Sequence, residues 1–294
     1  MSTACKEGPR TDLTGKVALV TGANAGIGRV TARELALLGA RVFVHGRDAA
    51  KVEQAMYEIR SVSGNEAVEG LVADLAEMAQ VRDLAQQVKE RTDHLNLLIN
   101  NAGLILGERS VNSQGIETTF AVNHLAPFLL TRELEPLLRA SAPARVITVA
   151  SGWHTAVDGL DFDDLQHEKS YDGKVAYQRS KLANILFTRE LARRMEGSGV
   201  TANSLHPGVV RTRFGQDGDM NGPLAFLFKM ARPFFIGPEA GARTSVYLAT
   251  APEVADVSGE YFAKCQPVDP SASGQDDEAA RRLWEESERL LEAA

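Results

Sequence analysis

Short apolar runs alternate with longer amphipathic stretches along most of the chain. The apolar runs are rich in β-branched residues and predict buried strands over residues 16–21, 41–45, 67–73, 95–100, 144–150 and 201–206, with another near 259–263. The amphipathic stretches predict helices over 27–38, 49–62, 77–92, 114–138 and 174–197. Strands that alternate with helices in this way are typical of βαβ units with right-handed crossovers. We therefore predict an α/β fold, with a single doubly wound parallel sheet of about seven strands and helices on both faces.

The two ends of the chain depart from this alternation. Residues 1–14 are polar and predict a flexible tail, so the folded domain is expected to span 15–265. Residues 266–294 form an acidic extension, in which an apolar stripe from about 276 onwards predicts an amphipathic helix. This helix could cap a cleft or extend a contact between subunits, and the sequence leaves both open.

The 294 residues carry a net charge of −7, most of it at the C-terminal end. Residues 267–294 hold eight carboxylates and three arginines, so the rest of the chain is nearly neutral. A nucleic-acid partner, which needs a basic face, is therefore not expected. The N-terminal residues hold no apolar stretch and no run reaches 18 apolar residues, so neither a signal peptide nor a membrane anchor is expected. Two cysteines make no disulfide framework and favour a reducing, cytoplasmic location.

A glycine-rich turn, TGANAGIG, joins the first predicted strand to the first predicted helix. Gly22 permits a tight turn, Gly26 lets the backbone approach a pyrophosphate, and Gly28 lets the helix pack closely on the strand. The N-terminus of the helix offers N–H groups to the phosphates, and Asn24 and Ile27 of the same turn are candidate contacts. The turn predicts a Rossmann-type dinucleotide site. A glycine turn without a ligand is the alternative, which the strand–turn–helix setting makes less favoured.

The end of the second predicted strand bears on which dinucleotide is bound. It carries no carboxylate that would bind a ribose 2′-hydroxyl, whereas Arg47 can pair with a 2′-phosphate. This favours NADP(H), with NAD(H) as the alternative cofactor and a solvated side chain as the alternative for Arg47. Asp74, followed by Leu75, ends the third strand, where it either meets the adenine amino group or caps the next helix. The turn after the fourth strand must also pass close to a ligand, at Asn101, Ala102 and Gly103.

Tyr177 and Lys181 lie four residues apart on a predicted helix and so share one face. An isolated tyrosine has a pKa of about 10, and a neighbouring cation, reinforced by an oxidised nicotinamide, favours the phenolate of a general base. No other tyrosine of the chain has a lysine at this spacing. Ser151 can hydrogen-bond a substrate carbonyl or serve as a turn serine. Asn123, inside a predicted helix, is either functional or a locally satisfied amide.

Other chemistries have little support in the sequence. The six histidines are scattered without HExxH or a His/Cys cluster, so no metal site is predicted. Ser151 lacks the GxSxG surroundings of a hydrolase nucleophile. His154 and His206 are therefore predicted to be structural or to line a pocket.

The segments TGANAGIG, NNAG, YQRSK and PGVVRT, with Asn123 and Ser151 in order between them, resemble the short-chain dehydrogenase/reductase family over about residues 15–265. The resemblance implies that Tyr177 is the general acid/base, and that Lys181 binds the nicotinamide ribose and lowers the pKa of Tyr177. It implies that Ser151 polarises the carbonyl and that Asn123 holds a water in a proton relay. Further cofactor contacts are implied after the sixth strand, at Pro207, Gly208, Val210 and Thr212.

The segments AVNHLAPFLLT, DLQHEKSY and SKLANILFTRELARRM are similar to the retinol dehydrogenase-like branch of that family. This branch prefers NADP, acts on hydrophobic aldehydes, ketones or alcohols, and has a long insertion between the residues that correspond to Ser151 and Tyr177. Two departures are the missing N-terminal membrane anchor, which argues against a retinoid substrate, and Ala150, where a second serine is common.

The resemblance implies reversible hydride transfer between NADP(H) and the carbonyl carbon of a small to medium hydrophobic substrate. It also implies a homodimer or homotetramer built on the helices at 114–138 and 174–197, with a monomer as the alternative. The glycines and phenylalanines of 213–240 predict a mobile apolar lid over the substrate. A cofactor-binding sensor or scaffold without turnover, and a C=C reductase of the same fold, are the competing functions.

Overall fold

One sheet organises the computed structural model, which describes residues 11–208 and 237–292. Within these residues the sheet has eight strands in the order β3-β2-β1-β4-β5-β6-β7-β8. Their bounds are Val17–Val20 (β1), Arg41–Gly46 (β2), Val68–Val72 (β3), Leu97–Asn100 (β4), Ala144–Val149 (β5), Val200–His206 (β6), Tyr261–Ala263 (β7) and Gln266–Pro267 (β8). The first seven strands run parallel, and β8 is antiparallel to β7.

Seven helices accompany the described strands. They are Gly26–Leu37 (α1), Ala49–Ser63 (α2), Met78–Arg91 (α3), a continuous helix α4 made of Thr118–Phe120, π-helical Ala121–Leu125 and Ala126–Ala140, then Gly173–Arg194 (α5), Pro238–Thr250 (α6) and Asp277–Glu292 (α7). Short 3₁₀ turns lie at Gly152–Ala156, Pro252–Val254 and Ala272–Gln275.

The helices bury both faces of the sheet, which explains why the parallel strands read as continuous apolar runs. On one face the apolar core is formed with α3, α4, α5 and α7, through residues such as Leu84, Phe128 and Leu186. On the other face it is formed with α1, α2 and α6, through residues such as Leu35 and Leu248. The result is the doubly wound sheet that the sequence predicts.

The order of the strands fixes where a ligand can bind. From β1 the chain first proceeds outward through β2 and β3, and then returns to β4 on the other side of β1. The loops after β1 and β4 therefore leave in opposite directions and open a crevice at the carboxyl ends of these strands. Ligands of open α/β sheets bind at such a switch point.

The predicted fold is confirmed, with three differences in detail. The short antiparallel β8 and helix α6 were not predicted. Helix α4 begins at Thr118 rather than 114, because Asn112 and Gly115 form a turn before it, with Gly115 at a φ of 79°. The carboxylate of Glu117 then caps the helix by accepting the N–H groups of Thr119 and Phe120.

Some predictions fall on residues outside the described part of the chain. Residues 1–10 of the predicted tail and 213–236 of the predicted lid are among them, while 237–240 lie at the start of α6. Among the helices that the structure describes, none is both long enough and apolar enough to cross a bilayer.

The predicted C-terminal helix is present as α7, and it packs along α4 and α5 of its own chain. The Trp284 ring lies 4.8 Å from Phe128 of α4 and 5.9 Å from Phe187 of α5, centroid to centroid. The Arg194 guanidinium covers the Trp284 ring at 4.2 Å. The chain's own C-terminal helix thus lies against the two helices on which a subunit contact is predicted.

The protein is expected to lose stability in mild acid, because two of its histidines are buried. Burial lowers the pKa of His45 from 6.5 to about 4 and that of His124 to about 3. Below pH 6.5 the unfolded chain binds protons on these rings while the folded chain keeps them neutral, so the free energy of unfolding falls as the pH falls. The decrease is at most about 1.4 kcal/mol per pH unit for each histidine, and it continues down to the folded-state pKa values.

The measurement is urea unfolding at pH 7.5, 6.0 and 5.0 for the wild type and His45→Gln. The variant removes one of the two titrating rings, so its free energy of unfolding is expected to depend less steeply on pH. Equal slopes for the two proteins would contradict the assignment for His45.

Candidate active site

The glycine turn lies at the switch point and leaves room for a ligand. Gly22 and Gly26 have φ values of 62° and 56°, in the left-handed region that favours glycine. A Cβ on Gly28 would lie 2.4 Å from the carbonyl oxygen of Gly22, so only glycine lets α1 approach the turn this closely. The residue before α1, Ala25, provides no side-chain cap for the helix. The first N–H groups of α1 are thus in place for an anion.

Two polar side chains fasten the turn to neighbouring strands. The Thr21 hydroxyl accepts the N–H groups of Asn101 (2.9 Å) and Ala102 (3.1 Å), and the Asn101 amide donates to the Thr21 carbonyl at 2.8 Å. His45 accepts the Gly22 N–H at Nδ1 (3.3 Å) and donates from Nε2 to the Ala73 carbonyl (3.0 Å). The sequence analysis assigned no role to Thr21, although it begins the TGANAGIG turn, or to His45, which ends the second strand outside any motif.

The predicted cofactor-selecting residues lie at the same edge of the sheet. Arg47 is exposed after β2 and forms no hydrogen bond or ion pair with any described residue, whereas Asp48 caps α2 through the Lys51 N–H. The Asp74 carboxylate accepts the Ala76 N–H at 3.0 Å, in a turn before α3. Leu75 is buried in the core beside it. Arg47 is therefore available for a phosphate, and Asp74 has a local structural partner.

Ser151, Tyr177 and Lys181 meet at the carboxyl end of β5. Ser151 follows this strand, while Tyr177 and Lys181 lie one turn apart on α5, with the Lys181 Nζ 5.7 Å from the centre of the Tyr177 ring. The Ser151 hydroxyl hydrogen-bonds the Tyr177 side chain. The Trp153 ring meets Tyr177 edge to face, at 5.9 Å.

The side chains of Lys181 and Asn123 both lie close to Gly103. The buried Lys181 ammonium donates to the Val149 carbonyl at 3.1 Å. In the π-helical turn of α4, the Asn123 amide accepts the Leu104 N–H (2.8 Å) and donates to the Ser180 hydroxyl (2.9 Å). A Cβ on Gly103 would lie 3.1 Å from the Lys181 Nζ and 3.3 Å from the Asn123 Oδ1. The glycine of the predicted NNAG turn thus makes room for both side chains.

Burial dominates the pKa values of the two central residues. It raises the pKa of Tyr177 from 10 to about 12 and lowers that of Lys181 from 10.5 to about 8, although the Ser151 hydrogen bond opposes the rise at Tyr177. The sequence predicts a lowered pKa for Tyr177, and in the chain alone the direction is the opposite. Removal from water disfavours the phenolate and the ammonium alike, and this outweighs the attraction between them.

The remaining predicted contacts follow β6. Gly208 has a φ of 86° and donates its N–H to His206 at 3.2 Å, and Pro207 precedes it. Val210 and Thr212 lie outside the described residues. Among the described residues there is no group of three or more histidine, cysteine or acidic side chains that could hold a metal ion.

A glycine turn and an uncapped helix at the switch point of a doubly wound sheet define the dinucleotide-binding class of α/β proteins. The family model for short chain dehydrogenases matches residues 16–220. The chain belongs to this family, and it is an oxidoreductase that acts on CH–OH groups.

Relatives of known name and solved structures agree with this assignment. The chain is 44% identical to human retinol dehydrogenase 14 over 94% of its own length and 86% of that protein. It is also 44% identical to human retinol dehydrogenase 13, over 95% and 85% of the two chains. An uncharacterised protein of Mycobacterium paratuberculosis has the same fold with a TM-score of 0.79, 31% identity, and coverage of 99% and 98%. An active-site complex of Pseudomonas aeruginosa RhlG with NADP matches with a TM-score of 0.69, 31% identity, and coverage of 87% and 96%.

Proposed function

We propose that the chain interconverts an alcohol and a carbonyl compound with NADP(H), on a hydrophobic substrate such as a retinoid or a smaller aldehyde or ketone. The observation that carries this proposal is the meeting of Ser151, Tyr177 and Lys181 beside the switch point. The Trp153 ring next to Tyr177 suits an apolar substrate. The relatives named retinol dehydrogenase and the NADP held by a structural neighbour support it.

The residues at the switch point fit a dinucleotide. A Cβ on Gly28 would collide with the Gly22 carbonyl, so helix α1 can pack this closely on the turn only with glycine at position 28. Phosphate groups would meet this turn and the N-terminus of α1. Arg47 would meet a 2′-phosphate, Asp74 and Leu75 the adenine, and Lys181 the nicotinamide ribose. When bound, the cofactor supplies the hydride donor or acceptor.

The chain's own residues handle the proton. In the direction of reduction, hydride adds to the carbonyl carbon while Tyr177 transfers its phenolic proton to the carbonyl oxygen, which Ser151 also hydrogen-bonds. A phenol whose pKa is about 12 keeps its proton until that oxygen gains negative charge. The phenolate that remains lies beside the Lys181 ammonium, whose pKa of about 8 suits it to return a proton near neutral pH. Oxidation uses the same groups in reverse.

Asn123 would serve the return of the proton through its backbone. Both ends of its side-chain amide already bond to Leu104 and Ser180, so we assign the water near Lys181 to the backbone carbonyl of Asn123. The π-helical turn at Ala121–Leu125 changes the hydrogen-bond pattern at this place in the helix.

The test is an assay of a substrate panel with NADPH and with NADH, followed by product analysis. The panel contains all-trans-retinal, a medium-chain aldehyde and an α,β-unsaturated ketone. We expect the aldehydes to become alcohols and the ketone to be reduced at its C=O bond. Reduction at C=C would identify the competing reductase, and cofactor binding without any product would identify a sensor or scaffold.

Arg47→Ala is expected to reduce the preference for NADPH over NADH by roughly 10- to 100-fold, since one charge-assisted contact to the 2′-phosphate is lost. Affinity for NADH should change little. The measurement is fluorescence titration of both cofactors. Arg289→Ala, which removes an exposed arginine on α7, controls for the change in net charge. If both variants keep the wild-type preference, Arg47 does not contact the cofactor.

A further inference from the structure

The C-terminal segment 266–292 is bonded directly to the turn that carries Ser151. The backbone N–H of Ser271 donates to the Nε2 of His154 at 3.0 Å, although 117 positions separate the two residues. The Nδ1 of His154 lies 2.8 Å from the Ser151 carbonyl oxygen and must carry a proton to bond it. The neutral ring thus has its proton on Nδ1 and its lone pair toward Ser271, and both of its nitrogens are used.

His154 is placed to control the orientation of Ser151. The ring is 1% exposed and packs edge to face against Tyr261, at 5.1 Å. The His154 backbone N–H also donates to the Ser151 carbonyl, at 3.3 Å. The Ser151 hydroxyl in turn accepts the Trp153 N–H at 3.2 Å and bonds Tyr177. A tilt of this 3₁₀ turn would therefore move the hydroxyl away from Tyr177.

We propose that His154 is a positioning residue for Ser151, and that the C-terminal segment holds His154 in place through the Ser271 N–H. This inference rests on the proposed function, because it assigns Ser151 a role in turnover. It also gives the acidic extension a task that differs from capping the cleft or joining subunits.

A second contact of the same segment reaches the other side of the site. The buried His124 donates from Nε2 to the Ser287 hydroxyl of α7 at 2.9 Å, and that hydroxyl donates to the Leu283 carbonyl. His124 is the neighbour of Asn123 in the π-helical turn. The C-terminal segment therefore holds both turns that carry the candidate residues Ser151 and Asn123.

The decisive comparison is Ser271→Pro against Ser271→Ala. Ser271 has a φ of −57°, which proline adopts, and the proline ring would place its Cδ where the N–H now points at the His154 ring. Both variants lose the hydroxyl that caps the turn at Gly274, but only proline replaces the N–H that bonds His154 with a carbon that displaces the ring. Because small displacements of a reacting group are costly, we expect kcat of Ser271→Pro to be roughly 10- to 100-fold below that of Ser271→Ala. The Kd for NADPH and the KM for the cofactor should be equal in the two variants.

Replacement of the histidine itself tests whether the effect passes through its ring. In a His154→Ala background, which has neither the bond nor a ring for the proline to displace, Ser271→Pro should cause no further loss of kcat. His154→Asn should recover part of the rate, since its amide can still donate to the Ser151 carbonyl. If the substitutions at Ser271 and His154 lowered kcat independently of each other, Ser271 would not act through the His154 ring.

Hydrogen exchange of residues 151–156 gives a readout that does not require turnover. These amides should exchange faster in Ser271→Pro than in Ser271→Ala, with equal unfolding midpoints for the cofactor-bound proteins. If the wild type turns over its substrate and the two variants share one kcat and one exchange rate, the positioning role is overturned while the proposed function stands. If the wild type turns over no substrate, the proposed function fails, and the exchange rates still decide whether Ser271 holds the Ser151 turn.

Discussion

Replacement of Tyr177 by phenylalanine is expected to lower kcat by about 10²- to 10⁴-fold, the contribution typical of a positioned general acid/base. The ring fills the same space against Trp153, and only the hydroxyl that meets Ser151 is removed. The Kd for NADPH should therefore stay within a few-fold of the wild-type value. The measurement combines steady-state turnover of an aldehyde with fluorescence titration of the cofactor.

Tyr57→Phe provides the matched control for this experiment. Tyr57 is 70% exposed on α2, far along the chain from the site, and loss of its hydroxyl should leave kcat unchanged. A Tyr177→Phe enzyme with more than a tenth of the wild-type kcat would show that another group supplies the proton. The buried Lys181 would then be the first residue to replace.

Gly28→Ala is expected to weaken cofactor binding by more than about tenfold, which corresponds to about 1.4 kcal/mol. The new Cβ would lie 2.4 Å from the Gly22 carbonyl and 2.4 Å from the Asn101 amide nitrogen. Alanine stabilises a helix by up to about 1 kcal/mol more than glycine does, which would favour the variant. Overpacking costs about 1–3 kcal/mol, so the steric term should prevail and the turn should shift away from its ligand-binding course.

The measurement is NADPH titration together with urea unfolding, and Gly159→Ala is the control. A Cβ on Gly159 would have no neighbour within 4 Å, so this variant should match the wild type to within about 0.5 kcal/mol. If Gly28→Ala bound NADPH as tightly as the wild type, close packing of α1 on the glycine turn would not matter for the cofactor.

The sequence was sufficient to predict the fold and the meeting of Ser151, Tyr177 and Lys181. Apolar runs at a strand's length recur with helices between them, and this local pattern is enough to define a parallel sheet. The spacing of Tyr177 and Lys181 puts them on one helical face, and Ser151 follows a strand. Each of these signals is local, because it depends on residues that are only a few positions apart in the sequence.

Contacts between distant segments could not be predicted in this way. The bond of Ser271 to His154 joins residues 117 positions apart, and that of His124 to Ser287 spans 163 positions. Nothing around either histidine in the sequence announces its partner. The sequence therefore left the place of the C-terminal helix open, although it predicted the helix itself.

The direction of the Tyr177 pKa shift could not be predicted from the sequence for another reason. A lysine four residues away is visible in the sequence, and its charge favours the phenolate. The depth of burial is a property of the assembled site, and in the chain alone it raises the pKa of Tyr177 to about 12. The spacing thus predicted that Lys181 lies beside Tyr177, but it did not predict that burial has the stronger effect on the pKa of Tyr177.

The two outer strands of the sheet limit what can be added to it. On one side β8 is only two residues long and ends in Pro267, which has no N–H to offer. On the other side β3 carries Glu69, whose carboxylate pairs with Arg41 at 2.7 Å. Short strands, proline and charge at the margins hinder edge-to-edge pairing. The same sheet that presents a ligand crevice at one end therefore resists growth into β-linked aggregates at its sides.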